Sequence, residues 1–101
     1  MASLYISEYA AVGTPGPGPA MHQAPLEPAQ VEQIVSITGS PTQSAAFGAE
    51  TKVIRVHCDS TCSILFGTNP TAATTKKRLV ANQTEYFAVI PNHKLSVISN
   101  V

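Results

Sequence analysis

From Gln30 onward, apolar residues recur at alternate positions in short runs, and turn-forming residues break those runs at intervals of roughly ten. That rhythm constrains the fold more than any other feature. A strand turns successive side chains to opposite faces, so an alternating run has one face to bury and one to wet. The strongest run is "KVIRVHC" at 52–58, with Ile54, Val56 and Cys58 pointing inward and Arg55 and His57 outward. In "VEQIVSITG" the positions Val31, Val35 and Ile37 share a face with Gln33, although Val31, Ile34 and Val35 also fit a short helix. "SAAFG" at 44–48 predicts a weak strand. After a tight turn at Asp59-Ser60-Thr61, Cys62, Ile64 and Phe66 begin the return strand of a hairpin, which leaves through Gly67 and Asn69-Pro70. "KRLVA", "EYFAVI" and "KLSVISNV" follow, separated by turns at Asn82-Gln83 and Pro91-Asn92-His93. No segment offers a convincing amphipathic helix. The expected fold is all-β: a single β-sandwich or jelly-roll-like domain of about seven or eight strands.

Residues 13–28, "GTPGPGPAMHQAPLEP", mark the clearest boundary. Eight of the fourteen glycines and prolines fall there, a density that forbids a helix interior and removes the amide donors a central strand needs. The reading is an N-terminal strand and extended Pro/Gly-rich arm over 1–28, then the sandwich over 29–101. Within the arm, Leu4 and Ile6 alternate with Tyr5, Ser7 and Tyr9, enough for one strand whose partner lies either in its own sheet or in a neighbouring subunit.

Composition limits the partners. Charged residues make up only 12%, against roughly 25% in a typical soluble domain, so much of the surface must be neutral. Such a surface suits a protein packed against other subunits, or a monomer kept soluble by hydroxyl and amide groups. Six basic and six acidic side chains cancel, leaving no overall field toward nucleic acid or an anionic membrane. Lys76-Lys77-Arg78 reads as a solvated strand edge that blocks strand-to-strand association rather than as a phosphate site. No run approaches the roughly 20 apolar residues of a spanning helix, and "MASLYISEYAAVG" lacks the features of a secretory signal.

Chemistry finds little to work with. A nucleophilic triad needs a base within hydrogen-bond reach of the nucleophile and a third group to hold that base. His22 falls in the arm, His57 on an outer face and His93 in a turn, and no G-x-S-x-G elbow is present. Glu8, Glu27, Glu32, Glu50, Asp59 and Glu85 are scattered, as solvated acids at strand ends are. The expectation is therefore no enzyme, no catalytic residue and no cofactor. "HCDSTC" gathers His57, Cys58, Asp59 and Cys62 but lacks the second ligand pair of a structural zinc site, so no metal site is expected either. Cys58 and Cys62 flank a short turn at which a disulfide is geometrically possible; in a reducing cytoplasm two buried free thiols are the default.

"LYISEY" near the start, then "QSAAFGAETKVIRVHCDSTCSILFGTNPTA" and "LVANQTEYFAVIPNHKLSVISN", make nearly the whole chain resemble a family of small tailed-bacteriophage structural proteins. Its members are encoded near the capsid genes and labelled head decoration proteins. The resemblance implies a jelly-roll-like capsid cement, made in the host bacterial cytoplasm. In the virion it would sit on the outside of the major capsid protein shell as a homo-oligomer, a trimer favoured. On that reading Leu4, Tyr5, Ile6 and Tyr9 of the arm are candidate partner-binding anchors, because aromatic residues give large contact area for few rotors; the alternative is ordinary core packing. Tyr86 and Phe87 lie in a run apolar on both faces, one for the core and one for a subunit contact or for the folded-back arm. A receptor- or glycan-binding module of a head or tail fibre ranks second, since the chain has no Trp and its loops are rich in Thr, Ala and Asn.

Overall fold

The computed structural model describes residues 2–13, 24–25 and 27–101. Among these residues there are ten strands and no helix: β1 (Ser3–Tyr9), β2 (Val12–Gly13), β3 (Ala24–Pro25), β4 (Val31–Ser36), β5 (Thr42–Gln43), β6 (Val53–Cys58), β7 (Cys62–Gly67), β8 (Lys77–Leu79), β9 (Thr84–Ala88) and β10 (Lys94–Ser99). Eight of them form two antiparallel four-stranded sheets, ordered β4-β1-β6-β9 and β5-β10-β7-β8, while β2 and β3 form a small ribbon. The all-β sandwich expected from the alternation is the fold found, and "VEQIVS" is a strand rather than a helix.

The pairings reveal how the chain is wound. β4 pairs with β1, β5 with β10, β6 with β9 and β7 with β8. These are successive stretches of one long two-stranded ribbon folded across both sheets, and the pairs β1·β6 and β10·β7 close the coil. That is jelly-roll winding, with the last strand of the ribbon supplied by the N-terminus. The two ends meet at one crossing: the Ile37 amide donates to the Ala2 carbonyl at 3.0 Å and the Ser99 amide to the Thr38 carbonyl at 2.8 Å.

β1 is thus an inner strand, bonded to β4 on one side and β6 on the other. Residues 3–9 belong to the sandwich body, and a boundary at residue 28 does not separate them from it. The physical reason is the alternation itself: Leu4 and Ile6 need a buried face, and the middle of the first sheet provides one. Gly13 pairs with Ala24 and Val12 with Pro25, so the chain leaves β1 and returns to β4 as a narrow ribbon. Residues 14–23, which carry most of the Pro/Gly-rich arm and His22, lie outside the described residues.

Between the sheets pack Leu4, Ile6, Ile54, Val56 and Cys58 from the first, and Cys62, Ile64, Leu79, Leu95 and Val97 from the second. Each of the larger aliphatic side chains contributes about 1.5–3 kcal/mol by leaving water. The inward and outward assignments in β6 hold. The expected hairpin does not: β6 and β7 lie in different sheets, and Asp59-Ser60-Thr61 carries the chain across the sandwich. Cys58 sits opposite Leu4, and Cys62 opposite Leu79 and Ser99. Alternation reports which face a residue occupies; it is the same for a hairpin as for an arch between sheets. Residues 44–48 are also not a strand but an irregular connection, tied to β10 and the turn before it by Ser44 and Phe47 amides donating to the Leu95 and His93 carbonyls, each at 2.7 Å. The turns at 80–83 and 90–93 form as expected, with Asn82 and Asn92 at φ 65° and 69°, a left-handed conformation that asparagine tolerates better than most residues.

Glu8 departs furthest from the sequence reading. Expected as a solvated acid, it is fully buried on the core side of β1. Its Oε1 accepts from the Gly48 amide at 2.9 Å and the Thr51 hydroxyl at 2.8 Å, and its Oε2 accepts from Gln33 Nε2 at 2.9 Å. Gln33 Oε1 in turn accepts the Ala45 amide at 3.0 Å. This chain of bonds fastens the irregular connection to β1 and β4. Gly48 is part of the fit, since a Cβ there would meet Thr51 Oγ1 at 3.2 Å.

Candidate functional site

The outer face of the first sheet is the most distinctive surface. Register places Ile34, Tyr5, His57 and Thr84 side by side across its four strands, and Glu32, Ser7, Arg55 and Tyr86 in the next row. Ile34 is 65% exposed, Tyr86 53% and Tyr5 41%, an unusual investment of large apolar groups on the wet side of a sheet. A depression of about 430 Å³ lies over β1 and β4, lined by Tyr5, Ile6, Ser7, Glu32, Gln33 and Ile34. Around it the polar groups are mutually satisfied: the Ser7 hydroxyl donates to Glu32 Oε1 at 3.1 Å, and His57 Nδ1 lies 2.7 Å from Thr84 Oγ1. The Tyr5 and His57 rings sit with centroids 6.3 Å apart.

The anchors named from sequence divide sharply. Tyr5 and Tyr86 are on this face and exposed. Leu4 and Ile6 are in the core and unreachable without unfolding, because alternation that shows Tyr5 to solvent must hide its neighbours. Tyr9 is also buried; its hydroxyl donates to Glu27 Oε2 at 2.9 Å, and burial, reinforced by that carboxylate, holds the phenol above its usual pKa. Phe87 faces inward opposite Ile54, is half-buried against the core, and sets its ring at a tilt of 58° to Phe66 with centroids 5.2 Å apart. Ile34 was missed. The signal was present, because the period-two reading that puts Val31, Gln33 and Val35 on one face must put Ile34 on the other.

The two lateral rims of the sandwich differ. At one, β8 and β9 are the edge strands; Lys77 and Arg78 are exposed there and Lys77 Nζ lies 5.7 Å from the centroid of the Phe87 ring. The basic run thus lies at a sheet edge. At the other rim, β5 is two residues long and β4 is six, with Val31 44% exposed and Ile34 still more so. Between Val31 and Ser36 the only charged side chain is Glu32.

The side chains of "HCDSTC" part into three settings, with only the two cysteines brought together, in the core. His57 points out of the first sheet, Cys58 and Cys62 point into the core from different sheets, and the Asp59 carboxylate accepts the Ser3 amide at 2.7 Å. Both cysteines are free and buried. Cys58 Sγ donates to the Val80 carbonyl at 3.0 Å, and burial, together with the neighbouring Cys58, pushes the Cys62 thiol up to about 12. Such a thiol is a poor nucleophile and a poor metal ligand at neutral pH. Among the described residues no group of three or more His, Cys, Asp or Glu side chains is placed to hold a metal ion, and no buried side-chain nitrogen or oxygen lacks a hydrogen-bond partner.

No protein-family model matches this chain, and neither a curated protein nor a solved structure matches it.

Proposed function

We propose that this protein is a phage capsid decoration, or cement, protein that binds the outside of a major capsid protein shell as a homo-oligomer and stabilises it by bridging subunits. The observation that supports this reading is the outer face of the first sheet, where Tyr5, Ile34 and Tyr86 stand exposed beside Glu32 and Arg55. A cement needs a rigid body and contact surfaces, and no reactive group. Each joint it makes buries area that must be re-exposed before shell subunits separate, and several joints on one molecule reinforce one another. The test is composition of purified particles: the protein should be present in a copy number comparable with that of the major shell protein, and Tyr5→Glu should lower its occupancy. Absence from particles, or presence at only a few copies, would reject the reading.

A second reading, a receptor- or glycan-binding module, draws on the depression beside Tyr5 and Glu32, an aromatic ring next to a carboxylate. Chemical-shift changes confined to those residues on adding oligosaccharides would favour it over the first.

A further inference from the structure

We propose that the free edge of β4 is a self-association surface. Two copies pair β4 against β4 in antiparallel fashion about a twofold axis through Ile34, joining their first sheets into one continuous sheet. The backbone sets the chemistry. The Ile37 amide bonds the Ala2 carbonyl, and bonded pairs alternate along an antiparallel ladder, so Val35 and Gln33 turn their amides and carbonyls toward β1. Ser36, Ile34 and Glu32 therefore turn theirs outward. Among the described residues no backbone group meets those three from the other side. A row of outward donors and acceptors is complementary to another strand, and this edge carries none of the lysines, arginines or prolines that would repel one.

The side chains select the partner and the register. With the axis through Ile34, Ile34 faces its own copy, Glu32 lies opposite Ser36 of the second copy, and Gln33 lies opposite Val35. No like charges meet. Directly opposed residues share a face, so the Tyr5–Ile34 row continues into Ile34 and Tyr5 of the second copy as one unbroken apolar stripe. Moving the axis to Gln33 sets Ile34 against Glu32, and moving it to Val35 sets Ile34 against Ser36. Either shift interrupts the stripe. The contact is isologous and closes at two copies. It concerns the free protein and stands apart from the capsid reading.

The experiment is sedimentation velocity on the full chain over a wide concentration range. A monomer–dimer equilibrium is expected. Ile34→Lys brings two ammonium groups together at the axis and should raise the dissociation constant at least about tenfold. Ser36→Lys creates two symmetric pairs with Glu32 and should lower it by about threefold, whereas Ser36→Glu should raise it by a similar factor. Ile90→Lys, at a residue 61% exposed and outside this edge, should leave it unchanged. Thermal melts establish that each variant is folded. A strict monomer at all concentrations overturns the proposal, as does a dimer or trimer indifferent to Ile34→Lys and to the sign of the charge at 36. A monomer that still decorated shells would remove this pairing and leave the capsid reading standing.

Discussion

The β8/β9 rim and the β4/β5 rim face the same problem, a row of unpaired backbone groups at the side of a sandwich, and meet it differently. At the first, Lys77 and Arg78 stand in solvent on a strand only three residues long, and the Lys77 ammonium lies over the Phe87 ring. At the second, the six-residue β4 shows Val31 and Ile34 to solvent, and what holds it is internal: Glu8 accepts from Gln33, which accepts from Ala45. One rim is guarded by charge on its outside, the other braced by a buried polar chain on its inside. Charge at an edge repels other strands. β4 carries one charge, Glu32, and no basic residue beside its exposed Ile34, and the proposed pairing uses that difference between the rims.

The largest effect is expected from the loss of β1. Deleting residues 2–9 takes away β1, leaves β4 without a sheet and uncovers the core over β6; loss of the cooperative melt and of dispersed amide resonances is the expected result. Next in size is Glu8→Ala, which leaves the Gly48 amide, the Thr51 hydroxyl and the Gln33 amide without their acceptor and should cost about 3 kcal/mol or more in urea unfolding. Exchange of the Ala45 amide should quicken in the same variant, while amides on β8 should be less affected.

On the β8 side, Cys62 sits opposite Leu79. Its thiol is raised from 9.0 to about 12 in the folded state, so folding favours the neutral form. The stability this contributes is fully present below the unfolded value and is lost as pH rises from 9 toward 12, at roughly 1 kcal/mol per pH unit. Cys62→Ser should flatten that part of the curve. The smallest effect is that of Lys77→Ala, about 0.5–1 kcal/mol from the lost contact with Phe87. Removing the charges at 77 and 78 together should also make this rim more prone to association, and light scattering would detect it.

What could be read from the chain beforehand follows a physical division. Facing is local: Ile54, Val56 and Cys58 against Arg55 and His57, the turns at Asn82 and Asn92, and the charged edge at Lys77 and Arg78 were all legible from alternation and turn chemistry. Partnership is global. Nothing in "HCDSTC" distinguishes a hairpin from an arch between sheets, and nothing in "LYISEY" says that this strand closes a jelly roll instead of extending away from it. The Pro/Gly-rich stretch beside it suggested separation, yet β1 and β4 flank that stretch as antiparallel neighbours. Glu8 was hidden for a related reason: its donors come from residues 33, 48 and 51, brought to it only by the folded chain. Among the large exposed residues of the first sheet's outer face, Tyr5 and Tyr86 stand out in the sequence by their size, whereas Ile34 is masked by the apolar neighbours that alternate with it in β4.

A density map of intact particles carrying this protein tests its proposed role most directly. The expected map shows copies on the outside of the shell, with the Tyr5–Ile34–Tyr86 face seated against a neighbouring subunit and the Lys77–Arg78 rim in solvent. A map without such copies, or one in which that face is bare while the charged rim makes the contacts, would contradict it.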